Sequence, residues 1–209
     1  MPEAVPQPRA ARSANRSTSI HVAIASLLAL LLVAATALPT MAAEPKRVHS
    51  AEDMAFRLVN CLRTGGKVTQ AGKCKGWGSG RYSAKRPALK HSDKIANRVA
   101  WPWARRTVKQ YSARTCWVGH SLAGSTVDRR FRAVGLKHPD NGENVGCASY
   151  NPKKMVTFIL RWWQREKSYN GWHWRQLKDK DFKSMGVAIA RRGSGKSQLV
   201  VNFYGKVVN

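Results

Sequence analysis

The feature that most restricts the fold is a change of period in the C-terminal third of the chain. Asn151-Pro152 is a helix start: a side chain that accepts from first-turn N–H groups, then Pro where its missing N–H is not needed. Met155, Ile159, Trp162 and Trp163 follow at i, i+4, i+7 and i+8, an apolar face that reads as core. From Met185 the period falls to two. Met185, Val187 and Ile189 alternate with smaller residues, as in a half-buried strand, and Leu199, Val201 and Phe203 alternate again. Arg191 to Ser197, with Gly193 and Gly195, makes the turn between them. A helix followed by an antiparallel hairpin points to an α+β domain.

Two more helices precede these. Met54 to Leu62 has helical spacing, with Met54, Leu58 and Cys61 on one face, and Gly65-Gly66 ends it. Ser92 is an N-cap before Ile95 and Val99. Pro102 should kink or restart that helix, and Trp103, Val108 and Tyr111 continue its apolar face. Lys67 to Lys90, rich in Gly, Lys and Ser, reads as a long loop in which Trp77 is expected to be a packing anchor.

The N-terminus has a different character. Arg9, Arg12 and Arg16 precede an apolar run from Val22 to Leu38, and small residues follow at Ala42 and Ala43. This is the pattern of a secretory signal peptide over residues 1–42, cleaved after Ala42 or Ala43. The alternative is an uncleaved anchor, although the run is short of the ~20 apolar residues that a spanning helix needs. Residues 43–53 then form a short polar lead-in, and 54–209 the folded domain.

Net charge is +26 in 209 residues. The first 43 residues carry three Arg and one Glu, a net of +2, which leaves +24 beyond them. Such a charge gives a positive field over most of the surface. The partners it implies are anionic: an envelope polymer, acidic lipid or polysaccharide. The cations are spread from Lys46 to Lys206 with no compact block, so a dedicated nucleic-acid site is not expected. Four cysteines, Cys61, Cys74, Cys116 and Cys147, in an exported chain imply two disulfides, with three connectivities open. No CxxC pair is present, which argues against a zinc ribbon.

Two motifs invite other readings. Gly195-Lys196-Ser197 resembles the end of a phosphate loop, but Ala190 stands where the first Gly is needed and a strand follows instead of a helix. Gly119-His120-Ser121-Leu122-Ala123 is one residue away from a nucleophile elbow, with Ala123 in place of the last Gly. It would make Ser121 a hydrolase nucleophile, with Asp140 and His173 to complete a triad. The chain has too few strands for the sheet on which such an elbow sits.

Three segments remain: GHSLAGSTVDRRFRAVGL from Gly119, GENV from Gly142, and His173-Trp174 leading into MGVAIA and the closing strand. In that order they resemble the CAP superfamily (cysteine-rich secretory, antigen 5 and pathogenesis-related proteins), above all its bacterial SCP-like extracellular branch. Leu58, Asn60 and Arg63 resemble the family's opening helix, and Ala100, Trp103 and Ala104 its second. The resemblance covers roughly residues 54 to 206 and implies an α–β–α sandwich, a small antiparallel sheet between helices.

It also implies a central cleft with two His and two acidic residues. His120, Glu143 and His173 match three of these places; the fourth falls on Arg165, with Glu166 one position off. Two imidazoles and a carboxylate are the donor types for zinc or another divalent metal, although Arg165 would oppose a cation. The disulfides that follow from the resemblance are Cys116–Cys147 and Cys61–Cys74. The function implied is a secreted binding module: a small lipid-like ligand or metal in the cleft and a cationic surface docking on anionic envelope or host surfaces. The rivals are a hydrolase, using Ser121 or metal-assisted through His120, Glu143 and His173, and a polyanion or nucleic-acid binder that ignores the cleft.

Overall fold

The computed structural model describes residues 43–110, 116, 118–193 and 195–208. Ala42, one of the two predicted cleavage points, and Tyr111, the end of the predicted apolar face, lie outside them. In chain order the elements are β1 (Lys46–Arg47), α1 (His49–Arg63), β2 (Lys67–Val68), β3 (Cys74–Lys75), β4 (Lys90–His91), α2 (Asp93–Ile95), a π-helical turn (Ala96–Ala100), α3 (Trp101–Thr107) and α4 (Val127–Ala133). Then come β5 (Asn141–Ala148), α5 (Pro152–Arg165), a 3₁₀ turn (Glu166–Tyr169), α6 (Trp172–Lys178), β6 (Ser184–Arg192) and β7 (Lys196–Tyr204). The segment expected as a lead-in is therefore folded: it supplies β1 and the first turn of α1.

The sheet runs β1-β6-β7-β5, with β4 also on β6. All pairs are antiparallel except β4 with β6, where Lys90–His91 lie parallel to Ser184–Met185. Helices cover both faces, giving the α–β–α sandwich. Val187, Ile189, Leu199, Val201 and Phe203 pack with Leu58 and Leu62 of α1, Ile159 and Trp163 of α5, and Leu177 of α6. On the other face Ala188, Ala190 and Val200 meet Trp103, Ala104 and Val108. Tyr204 packs with Ile95, Val99, Phe131 and Leu136.

The final strands are thus buried on both faces, where alternation suggested one. The small residues between the large ones are what admit the second layer of helices. Gly186 is the extreme case: a Cβ there would run into the backbone of Ile95 and Ala96. Pro102 acts as expected, as a restart. The N–H of Trp101 reaches back five residues to Ala96, closing a π turn, and α3 begins with Pro102 in its first turn.

Capping follows the sequence closely. Ser92 Oγ accepts from Ile95 N, and Asn151 Oδ1 accepts from Lys153 N. Arg63, at the end of α1, is buried and donates to the carbonyls of Pro87, Leu177 and Phe182, while Asn60 bonds both N–H and C=O of Leu89. Burial lowers Arg63 to a pKa of about 10, so it keeps its charge at neutral pH. Those contacts, with the Cys61–Cys74 disulfide, order the long loop after α1.

Two aromatic residues depart from expectation. Trp77 is 52% exposed. Trp162 is 46% exposed while its neighbour Trp163 is buried, because the apolar stripe of α5 is centred on Met155, Ile159 and Trp163 and leaves Trp162 at its margin.

Candidate functional site

β5 is an edge strand, and alternation sends its side chains to opposite faces. Glu143 faces the side of α3 and α4. Its carboxylate accepts from Arg130 at 2.6 Å on Oε2, from Asn202 at 3.1 Å on the same oxygen, and lies 3.0 Å from His120 Nδ1 through Oε1. Arg130, from α4, also donates to the His120 carbonyl and sits 3.8 Å over the Trp103 ring. Desolvation pulls the Arg130 pKa down, and Glu143 opposes that shift. The Glu143 side chain is fully buried; that of His120 is 40% exposed.

Asn144 faces the other way, toward α5 and α6, and its amide donates to the His173 carbonyl. There a second pair forms. His173 Nδ1 lies 2.7 Å from Glu166 Oε1, and the ring stacks on Trp163 with an interplanar angle of 10°. Glu166 Oε2 accepts the N–H groups of His173 and Trp174, so this carboxylate caps the first turn of α6.

The acid opposite His173 is therefore Glu166, and Arg165 is exposed. The resemblance put Arg165 in that place; α5 ends at Arg165, and the tighter 3₁₀ turn begins at Glu166. Asn170, in the left-handed region at φ 52°, then reverses the chain and brings α6 onto that carboxylate. A capping signal, an acid ahead of Asn-Gly and a short helix, was available in the sequence.

The two histidines belong to separate pairs on either side of β5. Among the described residues, no three His, Cys, Asp or Glu side chains come together as a metal site. Glu143 is already neutralised by a guanidinium, and both imidazoles face carboxylates through Nδ1. The donor set expected for zinc at His120, Glu143 and His173 does not fit a single ion, and no metal chemistry is assigned to it.

Nor does a serine triad assemble. Ser121 is exposed, beside a turn closed by reciprocal hydrogen bonds between Leu122 and Ser125, with Ala123 at φ 47°. Among the described residues just before it there is no strand, which a nucleophile elbow requires. Asp140 is paired with His138 and His173 with Glu166. The Cys116–Cys147 disulfide, with Cα atoms 6.0 Å apart, ties the segment leading to His120 to β5 four residues beyond Glu143.

A three-layer sandwich whose edge strand carries GENV between two histidine–carboxylate pairs defines a disulfide-tied α+β domain. The model of the cysteine-rich secretory protein family (CAP) matches residues 56–204, and the chain belongs to that family. Among solved structures it is similar to an extracellular SCP-domain protein of Bacillus anthracis, at 17% identity and a TM-score of 0.50, covering 76% of this chain and 41% of that one. It is also similar to an outer surface protein of Borrelia burgdorferi, at 14% identity and a TM-score of 0.53, covering 78% of this chain and 99% of that one. The chain thus spans about two fifths of the Bacillus protein. At these identities the likeness is one of fold. No curated protein matches the sequence significantly. Among the described residues no helix is long and apolar enough to cross a membrane.

Proposed function

We propose that this is an exported CAP-domain protein that acts by binding, its cationic surface docking on anionic surfaces outside the cell. The observation that carries the reading is how the charges are placed. Of the ten Asp and Glu from Glu44 onward, Glu52, Glu143 and Glu166 are buried in internal contacts. Among the described residues Arg63 is buried and the Arg130 side chain nearly so, while the other described Lys and Arg residues are half-buried or exposed. Folding therefore hides carboxylates and leaves nearly all the positive charge outside, steepening an imbalance already large in the sequence. The extracellular and outer-surface neighbours agree with an exported protein, as does the arginine-led apolar run at the N-terminus.

The two histidine–carboxylate pairs support a structural part in this reading. Glu143 and Glu166 are engaged in bonds that hold α4 and α6 in place. The test is binding to an immobilised anionic polymer across a salt series. Affinity should fall steeply with ionic strength as screening tightens, and a His120→Ala/His173→Ala variant should bind as the parent does. Salt-independent binding, or binding abolished in a folded double variant, would overturn the proposal.

A further inference from the structure

On the outer face of α5, large aromatic side chains and cations stand together in solvent. Phe158 and Trp162, one helical turn apart, are 50% and 46% exposed. Tyr150 meets Phe158 edge-on with ring centroids 5.5 Å apart, and Trp162 leans on His173 at 5.7 Å. Trp172, at the start of α6, is also exposed, at 57%.

Cations accompany the rings. Lys154 Nζ lies 5.0 Å from the Tyr150 centroid and the Arg175 guanidinium 4.8 Å from that of Trp172. From Tyr150 to Lys178 the sequence holds seven Lys and Arg and a single acid, Glu166, which is buried against His173. This segment therefore brings no exposed carboxylate to the face. An open pocket of about 500 Å³ beside Phe158 is lined by Met54 and Ala71 together with Lys153, Lys154 and Arg161.

Rings with an apolar body, flanked by Lys and Arg, are the composition that settles at the boundary between lipid head groups and acyl chains. The strip lies on the solvent side of α5, with Phe158 and Trp162 projecting from the helix. A flat, anionic, partly apolar partner fits both halves of the pattern. We propose that the α5 face from Tyr150 to Trp162 docks on the surface of an acidic phospholipid bilayer. Phe158 and Trp162 enter the interface, and Lys153, Lys154 and Arg161 pair with lipid phosphates. This rests on the anionic-surface reading above and adds to it a place on the molecule and a partner class.

The experiment is co-sedimentation of the oxidised protein with phosphatidylcholine vesicles, with and without phosphatidylglycerol, alongside binding to soluble polyphosphate. The parent should bind the phosphatidylglycerol vesicles and leave phosphatidylcholine alone. Phe158→Ser/Trp162→Ser, at two exposed positions, should keep the melting temperature and polyphosphate binding yet lose vesicle affinity by roughly tenfold or more. Lys153→Glu/Lys154→Glu leaves the rings untouched and should weaken vesicle binding by at least about fivefold for each charge removed. Vesicle binding unchanged in both variants overturns the docking face while the anionic-surface reading stands. Binding to polyphosphate without vesicles overturns the lipid assignment alone. Binding to neither sinks both.

Discussion

Replacing Glu143 with Gln keeps the side chain's shape and removes its charge. Three groups converge on that carboxylate, and the side chain is fully buried. Its main partner, the Arg130 guanidinium, is only 9% exposed and would be left without a counter-ion. A charge pair about 4 Å apart at an effective dielectric near 20 interacts by about 4 kcal/mol. Breaking a buried pair from one side costs about 3–5 kcal/mol. For a domain of this size each kcal/mol lowers the melting temperature by about 2–4 °C, so Glu143→Gln should melt roughly 10 °C below the parent. Arg130→Met should do similar damage by stranding the carboxylate. The double variant should be milder than the sum of the two, because no unpaired charge remains. Calorimetry on the four proteins decides it. A Glu143→Gln loss under about 1 kcal/mol, or strict additivity, would refute the argument. So would a zinc-dependent rise in the parent's melting temperature that Glu143→Gln abolishes, since that would make Glu143 a ligand.

Other consequences follow from the same contacts. Lys178 Nζ donates to the Leu62 and Arg63 carbonyls and to Ser83 Oγ; burial, aided by Arg63, Arg86 and Lys167, lowers its pKa from 10.5 to about 8. The unfolded chain then holds a proton that the folded one releases between about pH 8 and 10.5, so stability gained from this group rises across that window. Urea titrations of the parent and Lys178→Met should show the difference in stability moving in the parent's favour as pH climbs from 8; a flat difference would refute it. Gly186→Ala should destabilise by about 1–3 kcal/mol or more, since the new Cβ meets backbone that cannot swing aside; unchanged thermal melting would contradict the packing. Removing Cys61–Cys74 or Cys116–Cys147 by paired Ala substitution should cost about 3 and about 4 kcal/mol, in keeping with sequence separations of 13 and 31 residues. Mass mapping that found Cys61 joined to Cys116 would refute the pairing itself.

Local signals in the sequence were sound where local physics decides. Ser92 and Asn151-Pro152 start helices, and the Gly-rich turn after Arg191 closes a hairpin, because caps and turns depend on a few adjacent atoms. What the sequence left hidden depends on distant partners. Periodicity could not tell Trp162 from Trp163, since the width of a buried stripe is set by what packs on it. It could not find β5 as a strand, because Gly142, Asn144 and Gly146 mask the alternation: two are small to admit Gln176 and Ile159, and the third bonds α6. The choice between Arg165 and Glu166 turned on where an α-helix tightens into a 3₁₀ turn, one residue that no heptad-like count resolves. His120, Glu143 and His173 were singled out as members of one ligand-holding cleft; in the fold His120 meets Glu143 and His173 meets Glu166. Their division into two pairs became visible only once β5 lay between them.

The sheet has a consequence for the order of events in making the protein. β1, β4 and β7 all pair with β6, and β5 pairs with β7. Every strand of the large sheet thus waits for residues 184–204, which follow all the others along the chain. Until they are made, Lys46–Arg47 has no strand partner and the apolar faces of α1, α3 and α5 have no sheet to pack on. Such long-range closure slows folding. Here the last hairpin to be made is the one that locks the sheet.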